Sequence, residues 1–264
     1  RLGGLVRCAQ GCYDAAIAFQ APFVSGKDSL YNEYTGGDGR KHAIPGTLLI
    51  SALGIVPSVA NTTTMALKRA GNALYTIGET RAELGGGHYM QVSGQSANSS
   101  QPPQPNREAL AVFRTLHNAI AGGLVQAWHD CSEGGLAVTL AEMSLAGRVG
   151  LDVSLGKTAV STPTLPFTTR LFSESLSRFV VEVAPENQAD FEQQMASAGV
   201  VFAHIGQTTA TQELIVRDLD ENVQVQLSVE QLEAAWRGHL VGEEEKFIPT
   251  PRPATPAQAI LMPA

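Results

Sequence analysis

The spacing of apolar residues changes period along the chain. Leu5, Val6, Ala9, Cys12, Ala16, Ile17 and Phe19 recur at steps near three and four, which predicts a helix with one buried stripe over 5–19. Residues 21–24, Ala-Pro-Phe-Val, read as a short strand, and the polar turn 25–29 follows. Residues 35–41 form a hairpin-like polar insert around Gly36-Gly37. The run 47–56, TLLISALGIV, is apolar throughout and flanked by Pro45-Gly46 and Pro57, so it is expected to be a strand buried on both faces.

Further along, strands and helices alternate. A strand over 73–77 stops at Gly78, and 92–106, with three prolines, has the composition of an exposed excursion. Asn106 is expected to cap a helix running to Ala121. A strand over 124–128, a helix over 136–145 closed by Gly147, a strand over 179–183 and a helix over 185–198 come next, the last with Pro185 in its first turn. A strand over 200–205, a hairpin of 214–217 and 223–227, and a closing helix over 229–236 complete the pattern. The reading is α/β plus α+β, with units over 1–65 and 66–240 and a proline-rich tail or linker over 241–264.

Composition narrows the classes. Charged residues are 16% of the chain against a usual share of about 25%, and apolar residues are 44%, which excludes a disordered polyampholyte. The net charge of −7 gives no general reason to seek nucleic acid or an anionic membrane. No apolar run approaches the roughly 18 residues needed to cross a bilayer, so a soluble protein is expected. Cys8, Cys12 and Cys131 are too few for a secreted disulfide framework, which points to the cytoplasm. Cys8 and Cys12, four apart on a helix, read as face packing rather than half of a metal site. The chain opens on Arg1 directly into a helical pattern, as an interior piece of a longer protein would.

Three segments carry candidate chemistry. Ser25-Gly26-Lys27-Asp28-Ser29 offers backbone N–H groups, a cation, a carboxylate and two hydroxyls after a predicted strand, although Ala21 and Asp28 stand where a Walker loop needs Gly and Ser or Thr. A plain surface turn explains the same residues. His129-Asp130-Cys131-Ser132-Glu133-Gly134-Gly135 runs from a strand end into a helix, where unpaired N–H groups and the helix dipole attract anions and Asp130 offers a hard oxygen to a phosphate-bound magnesium. Ordinary helix capping is the competing reading. Cys131 is a poor nucleophile for His129, because adjacent residues on an extended segment face opposite sides. In Leu171-Phe172-Ser173-Glu174-Ser175, Glu174 stands four before Arg178 and would pair with it if the stretch were helical. Gly85-Gly86-Gly87 before His88 permits close backbone approach or a flexible turn.

Taken in order and spacing, PFVSGKDSLYNE, LKRAGNALYTIG, ELGGGHY, HDCSEGGLAVTLAEM and LFSESLSRFVVEV resemble the phosphoribosylformylglycinamidine synthase family of the AIR synthase-like superfamily. The likeness runs from about Leu5 to Trp236 and falls on the C-terminal part of that family's synthetase region. It implies the end of a PurM-like N-terminal α/β domain followed by a PurM-like C-terminal α+β domain. It also implies an ATP-dependent C–N ligase of purine biosynthesis that takes ammonia from glutamine, with ATP and Mg2+ as cofactors. By position, the likeness makes Gly26, Ser132, Gly134 and Gly135 nucleotide contacts, Ser29 a substrate contact, and Asp28 and Asp130 magnesium ligands. Lys27 stands where some relatives carry a metal-binding Asn, and a protonated lysine cannot take that part. No catalytic residue is assigned, because the family's catalytic His lies in the first half of the synthetase, and this piece is expected to be inactive without that half. Implied partners are that N-terminal half, a glutamine amidotransferase subunit or domain, and a ribonucleotide substrate. The open alternatives are a half that holds a structural nucleotide without turnover, and another ATP-dependent enzyme of the superfamily.

Overall fold

The computed structural model describes residues 2–29 and 32–238. Leu30, Tyr31 and the proline-rich tail read from the sequence lie outside the described residues. The chain divides into two compact units, residues 1–57 and 58–264, where the sequence placed the boundary at 65.

In the first unit, helix α1 (Leu2–Phe19) forms where the apolar spacing predicts a helix and ends where Gln20 turns left-handed at φ 56°, but the expected stripe is not buried, with Leu5, Val6 and Ile17 exposed. Strands β1 (Glu33–Thr35) and β2 (Lys41–Ala43) pair antiparallel, with Glu33 opposite Ala43, as the hairpin-like insert anticipates. Tyr34 and His42 stack across them at 5.2 Å. Two expectations are corrected here. Residues 21–24 and 47–56 belong to no regular element, and Leu53 and Ile55 are 98% and 96% exposed. The physical reason is that a strand is defined by its ladder: composition can favour extended backbone, but its N–H and C=O groups need a neighbour. Among the described residues, none pairs with either segment.

The second unit is built on one mixed sheet. Its elements in chain order are β3 (Ala73–Ile77), α2 (His88–Val92), α3 (Ala109–Ala121), β4 (Val125–Asp130), α4 (Gly135–Gly147), β5 (Gly150–Ser154), α5 (Phe167–Phe172), β6 (Phe179–Val183), α6 (Gln188–Ser197), β7 (Phe202–Thr209), β8 (Glu213–Arg217), β9 (Val223–Ser228) and α7 (Val229–Gly238). The spatial order is β4-β6-β3-β7-β5-β8-β9, and every neighbouring pair is antiparallel except β5 with β8.

Period-two alternation sorts side chains to two faces. Leu74 and Val180 join Leu136, Leu140, Met143 and Leu171 in one core, while Tyr75, Ile77 and Val181 join Val112, Leu116 and Phe191 in the other. Helices therefore cover both faces, and β3 is buried at all five positions. Each large side chain in these cores is worth roughly 2–5 kcal/mol against truncation to Ala.

One buried charge is fully accounted for. The Glu182 carboxylate accepts bonds from the Lys68 and Arg69 N–H groups and from Asn72 Nδ2, the last at 2.6 Å. That cradle is why the LKRAGN stretch closes over the end of β6 rather than extending a strand.

Candidate functional site

Strand β4 lies at the sheet edge and delivers His129 and Asp130 opposite Val180 and Phe179 of β6. The chain then turns through Ser132 and Glu133 into α4. Gly134 and Gly135 both take left-handed backbone, at φ 78° and 62°. A Cβ on Gly135 would also lie 2.5 Å from the Ser173 carbonyl oxygen, so the glycine is required by the close approach of α4 to the end of α5. Thr139 Oγ1 donates to the Asp130 carbonyl at 3.0 Å, tying the first turn of α4 back to the strand end.

The polar groups at this turn form a chain. Ser132 Oγ donates to Asp130 Oδ2. The His129 ring sits between two carboxylates, with Nδ1 at 3.2 Å from Asp130 Oδ1 and Nε2 at 2.7 Å from Glu142 Oε2. Burial pushes the Asp130 carboxyl upward in pKa, but bonds from Ser132 and its own backbone, together with His129, outweigh this and hold it below the usual carboxylate value. Asp130 is therefore an anion at neutral pH, half exposed. Cys131 is buried, and burial raises its thiol, so it is no nucleophile here, in agreement with the sequence reading.

The third sequence segment meets this turn, but not as an ion pair. Residues 173–178 are not helical, and Arg178 turns away from Glu174. Its buried guanidinium donates to the Ser175 carbonyl at 3.1 Å, to Thr80 Oγ1 at 2.7 Å and to the Ser173 carbonyl. This corrects the conditional i, i+4 pairing: the Ser173 and Ser175 hydroxyls bond the Arg81 backbone 92 and 94 residues away, which holds the stretch out of a helix. Glu174 instead reaches across to accept from the Gly134 N–H at 2.9 Å and the His88 N–H at 2.9 Å. The Gly135 N–H goes to the Ser132 carbonyl at 3.0 Å. The two amides that the sequence offers to a phosphate are thus both engaged by protein groups.

A cleft of about 350 Å3 opens beside Asp130, Ser132 and Glu174, walled on its apolar side by Pro103, Phe113 and Leu176. That combination of an apolar wall and a few convergent polar groups is typical of small-molecule sites. A larger cavity of about 510 Å3 lies beside Gly78, Arg81 and Arg107 and contains none of the predicted site residues. Among the described residues no three His, Cys, Asp or Glu side chains gather as a metal cage. A magnesium ion carried on nucleotide phosphates needs only one or two protein carboxylates, and ionised Asp130 at the cleft fits that demand.

The other predicted residues, Gly26, Asp28 and Ser29, stand in the first unit on an exposed turn outside any helix or strand. Lys27 Nζ donates to Ser29 Oγ there. Sequence reasoning missed the parts of Glu174, His88, His129 and Glu142. Glu174 was visible as a carboxylate among serines, a poor helix context, but its partners lie 40 and 86 residues away.

The second unit is thus an α+β domain of a two-faced mixed sheet, with its polar turn where an edge strand feeds a helix. Residues 69–218 match the family described as AIR synthase related protein, C-terminal domain, and the chain belongs to that family. It is 35% identical over 245 residues, 90% of its length, to the phosphoribosylformylglycinamidine synthase subunit PurL of Deinococcus radiodurans, of which it spans 32%. The fold resembles that of T. maritima PurL complexed with ATP, with a TM-score of 0.54 and 16% identity over 66% of this chain and 27% of that one. It also resembles T. maritima PurL complexed with FGAR, with a TM-score of 0.57 and 15% identity over 66% of this chain and 30% of that one. The chain spans about a third of the length of the curated relatives it matches. No helix among the described residues is long and apolar enough to cross a membrane.

Proposed function

We propose that this chain is part of a phosphoribosylformylglycinamidine synthase, converting formylglycinamide ribonucleotide, ATP and ammonia into formylglycinamidine ribonucleotide, ADP and phosphate. The observation that carries the reading is the 35% identity over 90% of the chain to a named synthase subunit, with the polar turn and its cleft inside the matched family domain. Solved PurL complexes with ATP and with FGAR support the ligand classes, as proteins of the same fold. ATP phosphorylates the amide oxygen, ammonia adds to the carbon, and phosphate leaves as the tetrahedral intermediate collapses. Magnesium, when bound, neutralises charge on the transferring phosphoryl group.

The residues of this chain bind and orient. Asp130 faces the nucleotide's phosphates and metal, Ser132 fixes one oxygen of that carboxylate, and Gly134 and Gly135 shape the turn that admits them. Pro103, Phe113 and Leu176 wall the cleft against the apolar face of a ligand. Gly26, Asp28 and Ser29 are the second contact set, toward nucleotide, metal and substrate. The ammonia comes from glutamine through an amidotransferase partner, and the centre is completed by the other half of the synthetase, in the cytoplasm. Assaying the purified protein together with the other half of the synthetase and the amidotransferase, for ADP release that requires both formylglycinamide ribonucleotide and glutamine or ammonia, tests this. The expected result is turnover dependent on both; ADP release indifferent to the ribonucleotide would overturn it.

A further inference from the structure

Glu174 is a carboxylate with 16% of its side chain exposed, yet its near neighbour in sequence, Arg178, does not touch it. One oxygen, Oε1, accepts from two backbone N–H groups on separate segments, Gly134 and His88, both at 2.9 Å. The His88 ring stands close to the same oxygen, with Nδ1 at 3.5 Å. Gly87 leaves room for it: a Cβ there would lie 2.9 Å from the Glu174 carboxyl carbon. The flanking serines fasten the same two strips of chain. Ser173 Oγ donates to the Arg81 carbonyl at 2.8 Å, and Ser175 Oγ accepts from the Arg81 N–H at 3.0 Å. The glycine-rich loop 84–88 is therefore flanked by two ties to 173–175, one through Arg81 before it and one through His88 at its end, and Glu174 carries the hydrogen bond onward to the 132–135 turn. Beyond the Gly134 N–H lie Ser132 and Asp130, joined by the Ser132 hydroxyl.

We propose that Glu174 is a positioning residue that clasps the 84–88 loop to the 132–135 turn and so holds Asp130 and Ser132 toward the cleft. The clasp itself stands on the geometry; its consequence for a ligand rests on the proposed nucleotide site. An ionised acceptor bridging two N–H donors restrains both more strongly than a neutral contact would, and supporting contacts of this kind commonly change ligand or metal affinity by about 10–100-fold when removed.

Backbone hydrogen exchange and ADP titration in the presence of magnesium, on the wild-type protein, Glu174→Ala and Glu174→Gln, test it. In Glu174→Ala the His88 and Gly134 amides should lose protection together, by about tenfold or more, while the sheet amides stay as they were. Glu174→Gln keeps an acceptor oxygen at the same place and should retain most of that protection, which separates the clasp from a general loss of folding. ADP affinity should fall about 10–100-fold in Glu174→Ala and be largely rescued in Glu174→Gln. Unchanged exchange at either amide in Glu174→Ala would overturn the proposal. Tighter ADP binding by Glu174→Ala would overturn it too, since it would make Glu174 a competitor for the phosphate. A wild-type protein that binds no ADP would sink the nucleotide reading, while the exchange data still decide the clasp.

Discussion

Two turns carry the same ingredients and are built differently. Residues 25–29 and 130–135 each bring glycine, an aspartate and at least one serine hydroxyl. In the second, Asp130 is fixed by Ser132 and His129, Gly134 by Glu174, and Gly135 by the Ser173 carbonyl that leaves no room for a side chain. In the first, a Cβ on Gly26 would meet nothing within 4 Å, and the turn is exposed throughout. A motif supplies groups; packing decides whether they are held. A pre-organised carboxylate offers its charge to a ligand at little ordering cost, whereas an exposed turn must be ordered by the ligand it binds.

The largest expected contrast is in stability. Gly135→Ala forces a left-handed backbone and a carbonyl clash, and should destabilise the second unit by about 3–5 kcal/mol. Gly26→Ala should change stability by less than about 0.5 kcal/mol. Urea unfolding of both variants checks this, and similar midpoints would erase the distinction between the turns.

A smaller contrast lies in acid. A carboxyl whose folded-state pKa is below its unfolded one contributes stability above about pH 4 that is lost as pH falls through the folded value. Asp130, held low, belongs to this class. Asp130→Asn should therefore flatten a small part of the stability loss below about pH 4 and leave the profile between about pH 5 and 8 unchanged. Thermal melts across that range read the difference, and a change confined to neutral pH would contradict the assignment.

Much of the second unit was legible from periodicity. Strands β3, β4 and β6 and helices α3, α4 and α6 fall where runs of one period are long and bounded by Gly, Pro or Asn. Strand β5 was hidden because Asp152 interrupts a five-residue pattern; it is there to meet Arg217 of β8 in a two-pronged contact at 2.7 and 2.8 Å. Helices α2 and α5, of five and six residues, are too short to show a stripe. Residues 47–56 misled for the opposite reason, since their composition is that of a strand and the ladder that would make it one is a property of pairs. At the site, Asp130, Ser132 and both glycines were legible as a strand-to-helix turn. Glu174 and His88 were not, because local spacing carries no information about contacts 40 and 86 residues apart.

The central claim is that the 130–135 turn, and not the 25–29 turn, is the pre-organised seat for a nucleotide's phosphates. Calorimetric titration of ADP with magnesium into the wild-type protein, Asp130→Ala and Asp28→Ala tests it most directly. Loss of a charge-assisted contact should weaken binding by about 10–100-fold in Asp130→Ala, and loss of Asp28, on a turn that the ligand must itself order, should weaken it less, by about 3–10-fold. Wild-type affinity in Asp130→Ala, or a larger loss in Asp28→Ala, would contradict the account.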